Sequence, residues 1–144
     1  MIIDADGCVL GRLATFAAKK ALLGQDVIVV NAEKAVITGS RSEILESYVG
    51  TLIRKNKQSY LKGPFSQKRP DRFVRRTIRG MLPVTKQHGK DAFKRVMTYA
   101  GVPEEQIKKN HKIEKLKIET PGTIKKAAGV TVGEICAFIG GKNS

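Results

Sequence analysis

Between Arg54 and Val96 the chain sets fourteen lysines and arginines against two acids, Asp71 and Asp91, a net charge of +12 in 43 residues. Such a stretch cannot collapse on itself. Net charge this far from zero destabilises a compact state through self-repulsion unless a polyanion offsets it. Residues 1–53 carry a net of −1 and residues 97–144 a net of +3, within a whole-chain charge of +14. The excess is therefore concentrated, as a binding face requires, and not spread as solubility would need. Nucleic acid is the first partner this implies, with an anionic membrane second. The near-neutral first third is left to build the scaffold.

That scaffold is legible from periodicity. Ile2 and Ile3 open a strand over about residues 1–5, closed by the turn Asp4-Ala5-Asp6-Gly7. Leu13, Ala17 and Ala21 recur at helical spacing, which predicts a helix over about 10–23 with Gly24 as its C-terminal cap. Val27-Ile28-Val29-Val30 is a β-branched run that reads as a buried strand. Strand, helix and strand within 30 residues make a βαβ unit with parallel strands and a right-handed crossover. A chain of 144 residues, 41% of them apolar, is long enough for a true core. The expected fold class is α/β, as a single domain over 1–144. Residues 1–53 form the βαβ scaffold, 54–96 the basic segment, and 97–144 the closing strand and helices.

Beyond the unit, Asn31–Lys34 reads as a turn or a single helical turn and Val36–Thr38 as a short strand. Ser40 and Glu43 have the spacing of a capping box, with a helix behind it to about Asn56. Residues 57–70 lose all period and read as a basic loop. Asp71 then caps a helix that runs to Leu82, stopped by Pro83. At 100° per residue, Arg72, Arg75, Arg76 and Arg79 share an arc of about 100°. Val74, Thr77, Ile78 and Met81 fall opposite. A short helix over Ala92–Met97, a turn at Tyr99–Pro103, a helical first turn at Pro103–Glu105 and an edge strand at Lys115–Glu119 follow. Thr131 and Glu134 form a second capping box before a last helix through Ile139.

The polar residues exclude more chemistry than they suggest. Gly7-x-x-x-Gly11 has the spacing of neither a dinucleotide fingerprint nor a P-loop. A nucleotide-using enzyme in the βαβ crevice is therefore the weaker reading. Gly7 reads as a turn glycine and Gly11 as a close-packing one, although the helix start at Gly11 and Arg12 suits an RNA phosphate. His88 and His111 lie near no cysteine or carboxylate at catalytic or metal spacing, and His88 fits a polar spacer as well as a phosphate contact. Cys8 and Cys136 stand alone in apolar runs, so two buried small hydrophobes are expected, with no metal site and no cofactor. No window approaches the roughly 20 apolar residues of a membrane span. No signal segment is legible either, and a cytoplasmic protein without a membrane or small-molecule partner is expected.

The candidate site residues are therefore cations. Arginine is the better phosphate anchor, because its planar fork binds bidentately and also stacks on bases. Arg12, Arg54, Lys55, Lys57, Lys62, Lys68 and Arg69 lead up to the arginine helix, whose own set is Arg72, Arg75, Arg76 and Arg79. Lys86, Lys90, Lys94 and Arg95 follow it, and Tyr60 and Phe65 are placed to stack on unpaired bases. No helix-turn-helix, zinc-finger or zipper pattern appears, so folded RNA read by shape and phosphate fits better than duplex DNA.

These residues carry a family likeness. Asp4-Ala5-Asp6-Gly7-Cys8-Val9-Leu10-Gly11-Arg12-Leu13-Ala14 resembles the opening motif of the large-subunit ribosomal protein thirteen family. Val29-Val30-Asn31-Ala32-Glu33-Lys34 with Thr38-Gly39 resembles its second block. Arg75-Arg76-Thr77-Ile78-Arg79-Gly80-Met81-Leu82-Pro83 resembles its central signature, in the form of the archaeal and eukaryotic branch. Val96-Met97-Thr98-Tyr99-Ala100-Gly101-Val102-Pro103 resembles the block that follows. The blocks keep the family's order over about residues 1–105. The resemblance implies a three-layer α/β/α fold and no enzymatic activity. It also implies large-subunit ribosomal RNA and neighbouring large-subunit proteins as partners.

Overall fold

A computed structural model describes residues 1–54, 59, 61–63, 65–103, 113–114 and 129–140. The expectations for Lys55, Lys57, Tyr60 and His111, for the helical turn after Pro103 and for a strand at Lys115–Glu119 lie outside the described residues.

The βαβ unit is present. Strand β1 (Ile2–Asp4), helix α1 (Leu10–Leu22) and strand β2 (Val27–Val30) follow in order. β1 and β2 pair in parallel, with Ile2 opposite Ile28. Helix α1 forms because Leu10, Leu13, Ala14, Ala17, Ala18 and Ala21 make one buried stripe. Four of those six are alanine, which pays no side-chain entropy and lets neighbouring elements approach closely. Gly24 ends the helix at a φ of 89°, a conformation that favours glycine.

Asn31, also left-handed at a φ of 54°, opens a 3-10 turn at Ala32–Lys34. Strand β3 (Val36–Thr38) and helix α2 (Arg41–Ile53) follow. Helix α3 (Pro70–Gly80) and helix α4 (Gln87–Lys94) carry the basic segment. Strands β4 (Val96–Thr98), β5 (Ile113–Glu114) and β6 (Gly129–Thr131) and helix α5 (Val132–Phe138) complete the described chain.

The main sheet has the order β4-β2-β1-β5, and all its described pairings are parallel. A second, two-stranded antiparallel sheet pairs β3 with β6, Val36 opposite Thr131. The main core gathers Ile3, Val27, Val29 and Val96 from the sheet with α1, Val74 and Ile78 of α3, and Ala92 of α4. Ile2 points to the other side of the pleat and is fully buried too, so both faces are covered at the sheet's centre. A smaller core holds Val130, Ile135 and Ile139, with Ile44, Leu45 and Tyr48 of α2 and Phe73 of α3 packed on it.

Four local expectations need correction. Val96–Thr98 is a strand and not the end of a helix. Val96 and Thr98 are buried there, and the edge of β2 supplies backbone partners such as Tyr99 N–H to the Val29 carbonyl at 2.9 Å. Asp71 does not cap α3: Arg69 holds that position and Pro70 the first turn, where a missing N–H costs nothing. The Ser40 hydroxyl turns to the Ser42 hydroxyl at 3.0 Å and makes no capping bond. Met81 lies past the end of α3 and is 40% exposed, because Pro83 stops the helix before Met81 can follow its face.

Candidate nucleic-acid interface

Helix α3 is held on two sides and open on the third. Val74 and Ile78, four residues apart, enter the main core, while Phe73 packs against both cores and meets Tyr48 with ring centroids 5.5 Å apart. The Thr98 hydroxyl donates to the Asp71 carbonyl at 2.7 Å, and the Thr15 hydroxyl approaches the Met81 sulfur at 3.3 Å. What remains is the arginine face. Arg72, Arg75, Arg76 and Arg79 all line one groove of about 810 Å³. The 100° periodicity predicts this convergence, and the geometry has it.

The groove is also fixed by contacts that periodicity does not reveal. The Arg75 guanidinium lies over the Phe93 ring of α4, 4.8 Å from its centroid. A cation–π contact of this kind contributes about 0.5–2 kcal/mol, depending on desolvation. Arg76 donates to the Phe65 carbonyl at 2.6 Å, which pins the preceding segment beside the helix. Phe65 itself stays 60% exposed at the groove's edge. Gly63, Gln67, Gly80 and Val84 complete the lining. Phe93, Gln67 and Val84 are absent from the sequence-derived set. Only the α4 spacing that puts Phe93 next to Ala92 on the inner side of a helix hinted at one of them.

The other candidate cations distribute around this groove. Arg12 is exposed in the first turn of α1, Arg54 at the end of α2, and Lys62 in the segment between α2 and α3. Lys86 is exposed at the N-cap of α4 and Lys90 and His88 on the helix itself, and Arg95 is half-buried at its end. Two cations are partly offset: Arg69 pairs with Asp71 at 3.1 Å, and Lys94 with Asp91 at 3.4 Å. Lys68 is turned away, with its ammonium beside Gly140 past the end of α5.

Both cysteines are free and buried. Burial raises the Cys8 thiol pKa, and Asp4 and Asp6 raise it further. Burial, then the Asp71 carboxylate, pushes Cys136 up to about 11. Both are therefore protonated and inert at neutral pH. Among the described residues, no group of three His, Cys, Asp or Glu side chains gathers as a metal site.

A near-neutral α/β scaffold that presents one arginine-lined groove defines a class of small basic α/β proteins whose exposed chemistry is cationic. Residues 1–105 match the family model described as Ribosomal protein L13. The chain is 43% identical to the large ribosomal subunit protein uL13 of Methanococcus maripaludis, over 99% of this chain and 98% of the relative. It is 41% identical to the protein of that name from Archaeoglobus fulgidus, over 96% of this chain and 86% of the relative. With its namesake from Methanosarcina barkeri it shares 50% identity over 72% and 73% of the two chains. The chain belongs to the ribosomal protein L13 family, a family of structural components of the large ribosomal subunit and not of enzymes.

Proposed function

We propose that the chain binds large-subunit ribosomal RNA through the α3 groove and so stabilises the folded RNA during subunit assembly and translation, on ribosomes of the cytoplasm. The observation that carries this reading is the convergence of Arg72, Arg75, Arg76 and Arg79 on one groove whose far wall is Phe93 and whose edge is Phe65. Guanidinium groups neutralise phosphates, and an exposed aromatic offers an unpaired base a surface to stack on. Arg12, Arg54, Lys62, Lys86, Lys90 and Arg95 extend the field around the groove for phosphates at either side. Arg69 and Lys94 contribute charge already shared with Asp71 and Asp91, and Lys68 adds its charge on the side near Gly140. Surfaces away from the cations face neighbouring large-subunit proteins.

Counterion release supplies the test. Each phosphate contact contributes about 0.7–0.9 to the slope of log affinity against log salt. Replacing Arg72, Arg75, Arg76 and Arg79 together by alanine is expected to flatten the slope by roughly 2.8–3.6 if each holds one phosphate. Binding of large-subunit RNA by the full chain, followed from about 50 to 200 mM salt, reads this directly. An unchanged affinity and slope in the fourfold variant would exclude the groove.

A further inference from the structure

A second cleft adjoins the groove, between α2 and α3. Its volume is about 270 Å³, room for one planar ring system and not for a duplex. Its lining includes three aromatic residues, Tyr48, Phe65 and Phe73. Phe65, Gln67 and Arg76 line both the cleft and the arginine groove, so the two spaces share a wall. We propose that this cleft seats one unpaired nucleobase of the RNA strand whose phosphates run along the arginine groove. The inference rests on the RNA-binding reading above and deepens it.

Three observations support a preformed seat. The Arg76 bond to the Phe65 carbonyl fixes the dividing wall. The contact of Phe73 with Tyr48, rings tilted at 53°, fixes the back wall. Two hydroxyls at the rim are held by the helices. Thr51 donates to the Ser47 carbonyl at 3.1 Å and Thr77 to the Phe73 carbonyl at 3.1 Å, so both hydroxyls have spent their hydrogens on the helices. Each is left with lone pairs to accept a hydrogen bond. Tyr48, Ser66, Gln67 and Arg76 add donors to the same lining, so the cleft can answer both the acceptors and the donors of a base. Charge settles the class of occupant. A nucleotide carries a flat apolar ring next to an anion, and the structure puts an aromatic cleft next to four guanidiniums. An aromatic side chain from a neighbouring protein would fill the cleft but leave the arginines unanswered.

The test uses the full chain and three RNA hairpins of equal stem: fully paired, with one bulged adenine, and with one bulged uracil. The bulged-adenine hairpin is expected to bind tighter than the paired one by roughly 5- to 150-fold, the range of one stacked base. The bulged-uracil hairpin should also bind tighter than the paired one, because stacking on an aromatic ring tolerates any base. Phe65→Ala, at an exposed position, should cost the bulged-adenine hairpin several-fold more affinity than the paired one and so remove most of the preference. Equal binding of paired and bulged hairpins by the unaltered chain would overturn the seat and favour a protein side chain as its occupant. So would an equal loss on both hairpins in Phe65→Ala. Failure to bind any hairpin, or binding without salt dependence, would instead count against the RNA-binding reading itself.

Discussion

Two glycines in helices, Gly50 of α2 and Gly89 of α4, should respond in opposite directions to the same substitution. Glycine inside a helix costs up to about 1 kcal/mol relative to alanine, so helix propensity alone favours alanine at both. At Gly50 an added Cβ would meet nothing within 4 Å, and the propensity gain should be realised. Gly89 is buried, and its Cβ would be driven into the Pro83 carbonyl group, with the Val84 nitrogen 3.1 Å away. That carbonyl cannot yield easily, because it accepts the Lys86 N–H at 3.0 Å in the turn that launches α4. Forcing a group into a packed site costs about 1–3 kcal/mol, and here the obstacle is backbone, which argues for the upper half of that range. After the propensity gain is subtracted, Gly89→Ala should lose about 2 kcal/mol. At a typical unfolding entropy per residue, a chain of this length shifts by about 3 °C per kcal/mol, which lowers the melting temperature by roughly 6 °C. Gly50→Ala should instead raise it by about 2–3 °C. Thermal melts followed by far-ultraviolet circular dichroism, with urea titrations alongside, measure both. The reasoning fails if Gly89→Ala melts at or above the unaltered protein, or if both variants shift in the same direction. A binding consequence is attached, because Phe93 sits one turn along α4. Any displacement of that helix loosens its contact with Arg75 and should weaken RNA binding in the same variant.

Two further outcomes follow from capping and from the thiols. Thr131 caps α5 by accepting from the Glu134 N–H at 3.2 Å, so Thr131→Ala should cost about 1 kcal/mol in a urea titration, whereas Ser40→Ala, at a position without a capping bond, should cost almost nothing. The Cys136 pKa is raised from 9.0 to about 11 by burial and by Asp71. A raised folded-state pKa means that its contribution is complete below about pH 9 and is lost as the pH climbs towards 11. Cys136→Ser should therefore flatten the fall of stability over that alkaline window, and a thiol reagent at pH 8 should label neither cysteine until the chain unfolds.

Sequence by itself determined the elements that local rules govern. The βαβ unit is legible because its buried stripe in α1 and its β-branched run in β2 repeat at the periods the backbone imposes. The arginine arc of α3 is legible for the same reason: Val74 and Ile78 must face inward, and this turns Arg72, Arg75, Arg76 and Arg79 outward. The segregation of charge marked which third of the chain would be exposed, because a net of +12 cannot be buried.

Only the tertiary structure decided the rest, and each case involves a partner that the periodicity of the segment does not name. Val96–Thr98 is a strand because β2 offers it an edge, although the residues before it keep helical spacing. Phe93 lines the arginine groove because the fold brings α4 to α3 and lays the ring under Arg75. Phe65 stands at the divide between groove and cleft because Arg76, eleven residues later, holds its carbonyl. Gly89 must remain glycine because the chain folds back on Pro83, not because of its own dihedral angles. Periodicity reports which way a side chain points. What it meets there is a property of close packing between elements, and no local pattern contains it.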